Sequence, residues 1–119
     1  MRRLSMVSVL VAAVVALAAC SEPEPVSSAE GVAAAGETGY AQYCAECHGD
    51  RLEGADDGPS LLEDEYLLPG YTDEQLWRSI RSGRSDPEGD YEPMPGFPNI
   101  GRQTTADIMA YVRSVQSLP

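Results

Sequence analysis

The sequence predicts an all-α domain of three to five helices. Two stretches carry capped, amphipathic helical spacing, and a third leads into a Cys-x-x-Cys-His run. No stretch alternates polar and apolar residues as a half-buried strand does. The 119 residues hold at most one domain. The chain divides into a leader (1–19), an acidic linker that starts at Cys20 (20–35) and the folded domain (36–119).

Met1-Arg2-Arg3 gives a positively charged start, and Leu4 to Ala19 are apolar except Ser5 and Ser8. That is signal-peptide length, short for a membrane span. The segment ends in Leu17-Ala18-Ala19-Cys20, which resembles the lipobox of bacterial lipoproteins, where the cysteine is acylated and becomes the mature N-terminus. The expectation is therefore an exported protein on the extracytoplasmic side, anchored by lipid on Cys20. Cleavage after Ala16-Leu17-Ala18 and an uncleaved anchor are the alternatives. Acylation also accounts for the odd cysteine. Ser21 to Ala35 is rich in Pro, Ser, Glu and small residues without apolar periodicity, the composition of an unstructured linker. Such a linker reaches at most about 50 Å when extended and roughly 20 Å as a coil, room for a tethered domain to swing.

The first helix is expected from Gly36 to Cys47, with Gly36, Tyr40 and Tyr43-Cys44 at helical spacing and Gly49 as its exit. Asp50 to Gly58 is polar and turn-rich. Leu61, Leu62, Tyr66, Leu67 and Leu68 belong to an irregular or short helical segment that Pro69-Gly70 closes. Thr72-Asp73-Glu74-Gln75 is a capping box that opens a helix to about Ser82, with acids in its first turn and arginines in its last. Leu76, Trp77 and Ile80 form its buried face, and Gly83 stops it. Arg84 to Pro98 contains four prolines and reads as loop. Thr104 or Thr105 caps the last helix, whose stripe is Ile108, Tyr111, Val112 and Val115.

On a helix, Cys44 and Cys47 lie three apart on one face. Both sulfurs can then reach the two vinyl groups along one porphyrin edge, and His48 can present an imidazole nitrogen to the iron. Cys-x-x-Cys-His is read as a c-type haem attachment site, in which thioethers fix the cofactor and the imidazole is the proximal ligand. A zinc site lacks ligands, because His48 is the only histidine and Cys20 lies far off at the leader. A thioredoxin-like pair needs a βαβ context, and no strand-like run precedes it. So small a domain is marginal without a staple, and the apoprotein is expected to be largely unfolded. An iron that only carries electrons needs a sixth ligand, for which Met94 and Met109 are the candidates. Met109 sits inside a regular amphipathic helix, where methionine packs. Met94 lies between Pro93 and Pro95, which fix its backbone, and is the expected ligand.

Cys44-Ala45-Glu46-Cys47-His48, Gly58-Pro59-Ser60-Leu61 and Met94-Pro95 occur in the order and spacing of small class I bacterial cytochromes c, which the chain resembles over about residues 36–118. The resemblance implies the class I cytochrome c fold around one covalently bound haem c. It implies that Gly36 and Tyr40 pack against the C-terminal helix at Ile108 and Tyr111. It implies that the Pro59 carbonyl accepts a hydrogen bond from His48, which fixes the ring and raises its basicity. It also suggests Trp77 and Arg81, with Arg78 and Arg84, as contacts of the haem propionates; core packing and a solvated basic face are the alternative. Members that dock through a ring of lysines have no counterpart in a chain without lysine.

Without the two leader arginines, six arginines face nineteen acids, a net charge of −13. Such a surface repels nucleic acid and suits a basic protein partner. Asp86, Glu88, Asp90 and Glu92 directly precede Met94; they read equally as a rim of the haem edge that steers docking and as a plain solvated acidic loop, with a metal loop as a further alternative. With both axial positions filled, the expected function is single-electron transfer between respiratory or dehydrogenase partners. Catalysis and a small-molecule substrate are not expected. Two rival readings are a dedicated haem subunit of one periplasmic dehydrogenase and a haem-based sensor, which needs a labile sixth ligand.

Overall fold

The computed structural model describes residues 21–85 and 89–119. The leader with Cys20, and the acids Asp86 and Glu88, lie outside the described residues. Four helices follow one another: α1 (Ala33–Tyr43), α2 (Ala45–His48), α3 (Asp73–Ser82) and α4 (Arg102–Gln116). Single 3₁₀ turns stand at Ser28–Glu30 and Asp64–Tyr66. Among the described residues there is no strand, only isolated bridges from Ala55 to Gly58 and from Arg84 to Met94.

The frame is the crossing of α1 and α4. Gly36 lies directly on the backbone of Asp107 and Ile108, where a Cβ would overlap the Asp107 carbonyl. The backbones can approach this closely because Gly36 has no side chain. One turn on, the buried Tyr40 ring packs against Tyr111 at a centroid distance of 5.1 Å, and its hydroxyl donates to the Gly49 carbonyl at 2.7 Å. This is the Gly36–Tyr40 packing that the resemblance implies. The helix starts three residues before Gly36, because the Val32 amide is held by Asp107 Oδ1 at 2.8 Å. It also breaks at Cys44 (φ −125°, ψ −34°), but the His48 amide still donates to the Cys44 carbonyl at 2.9 Å. Cys44 and Cys47 therefore stay within one turn of each other.

The capping box of α3 forms as expected: the Gln75 amide donates to Thr72 Oγ1 and the Thr72 amide to Gln75 Oε1. Leu76 and Ile80 are buried, but the third buried residue is Ser79, while Trp77 is only partly covered. Ser79 is buried at little cost because its hydroxyl is bonded to the Gln75 carbonyl and to Tyr71 Oη. The cap of α4 is Gly101, so Thr104 and Thr105 sit inside the first turn. The Thr105 hydroxyl turns back to the Gly101 carbonyl instead of capping. Met109 is fully buried among the core residues, as a packing methionine.

The linker expectation is corrected for residues 26–35. Val26 is 3 % exposed, Ser27 and Glu30 close a capping box around the 3₁₀ turn, and the Ser28 amide donates to Asp73 Oδ2 at 2.7 Å. One valine and a set of backbone hydrogen bonds anchor the segment, so no apolar periodicity marks it. Asp73 also pairs with the buried Arg113, whose Nε lies 3.0 Å from Oδ1. The Arg113 guanidinium donates further to the Tyr66 and Tyr71 carbonyls, which ties the central loop to α4. Burial pushes the Asp73 carboxyl up, but the Ser28 amide and Arg113 outweigh it and hold it below its ordinary value. A lowered carboxyl stabilises the fold above the unfolded value of about 3.9 and stops doing so as pH falls through the native value. Asp73→Asn is expected to cost about 2–4 kcal/mol at pH 7 in urea denaturation, the difference from wild type shrinking below about pH 4.

Candidate functional site

A cavity of about 1010 Å³ is bounded by α2, α3, α4 and the loops between them. Packed interiors leave voids little larger than a water molecule, whereas pockets for large ligands reach this size. Tyr40, Leu61, Leu76, Ile80, Ile108 and Val112 make its apolar walls, so the cavity and the core share residues. Cys44, Cys47, His48, Pro59 and Met94 all line it.

His48 is buried, and its Nδ1 lies 2.9 Å from the Pro59 carbonyl oxygen. A carbonyl can only accept, so Nδ1 carries a proton, and in the neutral ring Nε2 is the nitrogen with the lone pair. The loop that brings Pro59 back is folded tightly. The Gly54 amide donates to the His48 carbonyl at 2.7 Å, and the Leu61 amide donates to the Leu52 carbonyl at 2.8 Å. Leu52 is fully buried with φ +69°, a left-handed conformation that costs a leucine on the order of 1–3 kcal/mol. Burial of its side chain offsets that strain. Nothing in the polar 50–58 stretch marked Leu52 as an anchor. Burial, then the neighbouring Cys47, pushes the Cys44 thiol up to about 12. At neutral pH it is a thiol, unlike the thiolate of a disulfide oxidoreductase.

Met94 is held by the C-terminal end of α3. The Arg84 amide donates to the Met94 carbonyl at 3.0 Å, and the Phe97 amide to the Ile80 carbonyl at 2.8 Å. Gly83 ends α3 with φ +73°, and a Cβ there would overlap the Met94 carbonyl. The prolines beside Met94 are therefore only part of what fixes it; Gly83 and Arg84 supply the clip.

Trp77 and Arg81 do not line the cavity. The Arg81 guanidinium sits 5.9 Å from the Trp77 ring centroid, and the pair stacks at i, i+4 on another side of α3. Arg78 is turned to the surface, where it pairs with Glu74. Arg84 lines the cavity instead, because the chain reverses at Gly83. Its Nη1 donates to Tyr71 Oη at 2.9 Å, and Tyr71 Oη lies 2.6 Å from Ser79 Oγ, so one cation and two hydroxyls form a polar corner in an apolar cavity. The mouth carries the opposite charge, with Glu53, Asp57, Glu63, Glu65, Asp90 and Glu92 all lining it. No group of three or more His, Cys, Asp or Glu among the described residues is arranged to hold a bare metal ion. The described residues also contain no helix long and apolar enough to cross a membrane.

A family profile described as "Cytochrome C oxidase, cbb3-type, subunit III" matches residues 31–112, from the docked N-terminal segment to the cavity face of α4. The chain belongs to that family. It is a small monohaem class I cytochrome c with covalently bound haem c. The cytochrome is 34 % identical over 92 residues to the cbb3-type cytochrome c oxidase subunit FixP of Bradyrhizobium sp. (strain ORS 278), a match that covers 72 % of this chain and 31 % of FixP. Among solved structures it is similar to cytochrome cL of Methylophaga aminisulfidivorans MPT, at 33 % identity and a TM-score of 0.54 over 68 % of this chain and 51 % of that one. Cytochrome cL of Hyphomicrobium denitrificans aligns at 25 % identity and a TM-score of 0.57 over 76 % of this chain and 51 % of that one. The cytochrome thus spans about a third of the length of FixP and about half that of the cytochromes cL.

The residues of the cavity fit haem c: two thiols one turn apart, an imidazole with a free Nε2, apolar walls and one cationic corner. Gly58 presses on this arrangement, since a Cβ there would stand 2.6 Å from the Cys47 carbonyl oxygen. Gly58→Ala is expected to lower the urea midpoint of the haem-loaded protein by the equivalent of about 1–3 kcal/mol. The fraction of chains that carry covalent haem, read by intact mass, is expected to fall as well.

Proposed function

We propose that the cytochrome is a single-electron carrier, exported and tethered to the extracytoplasmic face of a membrane, with His48 and Met94 as its axial ligands. The observation that carries this reading is that both residues line one cavity and both are held by backbone contacts, His48 through Pro59 and Met94 through Gly83 and Arg84. Bound haem c supplies one-electron chemistry at its iron, with a potential raised by a thioether ligand and by burial. Cys44 and Cys47 make the attachment permanent. Pro59 keeps the His48 ring oriented, and Arg84 with Tyr71 faces the propionates in place of Trp77 and Arg81. The apolar walls keep water away from the iron. With both axial positions held by the chain, no place remains for a substrate or a gas, which favours a carrier over an enzyme or a sensor.

The acids at the cavity mouth favour a redox protein partner with a basic docking surface and disfavour nucleic acid. Lipid on Cys20 would keep the carrier at the membrane. A second reading, a dedicated haem subunit of a larger complex, is supported by the family profile and by FixP, both named for a cbb3-type oxidase subunit. Stoichiometric copurification from solubilised membranes would select that reading; recovery as a free monomer selects the carrier.

Met94→Ala is expected to open the ferrous protein to carbon monoxide and to lower its midpoint potential. An unchanged optical spectrum with no carbon monoxide adduct would overturn Met94 as ligand. The second-order rate of electron transfer to a basic partner is expected to fall as ionic strength rises from about 0.01 M to 0.15 M, where the Debye length drops from about 30 Å to 8 Å. A rate indifferent to salt would remove the acidic mouth from docking.

A further inference from the structure

The segment that precedes α1 is bound to the domain at every second or third residue. Arg102 Nη1 donates to the Glu24 carbonyl at 2.7 Å, and Arg102 Nη2 lies 3.3 Å from the Glu30 carboxylate. Gln103 Nε2 donates to the Glu30 carbonyl at 3.2 Å. The Ser28 and Val32 amides donate to Asp73 and Asp107, from α3 and α4 respectively. Val26 is buried, and Gly31 is so close to Ala106 that a Cβ would overlap its carbonyl. Pro23 and Pro25 flank Glu24, and each fixes its own φ, which stiffens the approach to the strap.

We infer that Glu24–Val32 is a docked strap that holds the domain against the membrane bearing its N-terminal lipid. The inference rests on the proposed acylation of Cys20. Between Cys20 and the first bonded residue, Glu24, only Ser21, Glu22 and Pro23 intervene. Extended, that leash spans at most about 14 Å, against the 50 Å allowed by a linker running to Ala35. A domain of this size has a radius of gyration of about 12–13 Å, so the leash is shorter than the domain is wide. The start of α4, with Arg102 and Gln103, is kept beside the lipid, and the domain pivots on it instead of sweeping the space above the bilayer.

The test uses the haem-loaded, lipidated cytochrome on a supported bilayer of phosphatidylethanolamine and phosphatidylglycerol. Neutron reflectivity gives the protein density profile, hydrogen exchange the protection of residues 26–32, and intact mass the acyl group. Two variants are compared with wild type: fifteen Gly/Ser residues inserted between Glu22 and Pro23, and the strap-releasing pair Arg102→Ala with Asp107→Ala. The expected result is a wild-type layer abutting the headgroups, with the Ser28 and Val32 amides exchanging at least 100-fold slower than unstructured peptide. The insertion should move the layer outward and leave that protection intact, whereas the releasing pair should abolish it at the Val32 amide, which donates to Asp107, and lower it at Ser28, which Asp73 still holds. A wild-type profile as diffuse as that of the insertion variant, or unprotected strap amides, would overturn the strap. Absence of the acyl mass with protection intact would instead overturn the tether reading, and the membrane-bound pose with it.

Discussion

The hydrogen bond from His48 Nδ1 to the Pro59 carbonyl, 2.9 Å long, sets the terms for the chain around it. It decides which imidazole nitrogen faces the cavity, and a ring so fixed cannot rotate away from a metal. For Pro59 to reach His48, the chain after α2 must turn back on itself within eleven residues. Buried Leu52 takes a strained left-handed conformation there, and Gly58 comes into contact with Cys47 because it has no side chain. Strain in one loop residue and the absence of a Cβ in another are thus the local costs of one oriented imidazole.

The proposed second ligand is placed independently, by the end of α3. The two halves meet through the α1–α4 crossing at Gly36 and the Arg113–Asp73 pair. Leu76, Ile80, Ile108 and Val112 serve twice, as the interior of a small domain and as the walls of a haem pocket. A protein of this size gains much of its apolar burial from such a group. Stability and function are consequently not separable at these positions.

The parts of the molecule that were legible in the sequence are those encoded within a few residues. Cys44-Ala45-Glu46-Cys47-His48 and the Thr72–Gln75 capping box carry their geometry locally, whereas the prolines marked Met94 but its position also needs Gly83 and Arg84. Contacts between distant segments were harder to read. Trp77 and Arg81 share a helix face, but periodicity does not say whether that face meets the cavity, and Arg84 enters it only because Gly83 reverses the chain. The cap of α4 fell to Gly101 because Thr105 spends its hydroxyl on the carbonyl of the preceding turn. The strap was hidden by its composition: its amides are satisfied by Asp73 and Asp107, which lie 45 and 75 residues away.

The proposed chemistry follows from two candidate ligands that the backbone holds, His48 and Met94, and a mouth lined mainly by acids. Rigid ligation suits a centre that changes only its oxidation state, and acids around the opening suit recognition by a basic surface. The most direct measurement is the proton NMR spectrum of the ferrous protein, recorded with and without selective labelling of the methionine methyl groups. If Met94 sulfur is the axial ligand, its methyl protons sit over the ring plane and resonate far upfield of all other signals, while those of Met109 stay within the ordinary envelope. No upfield methyl resonance, or one belonging to Met109, would contradict the account.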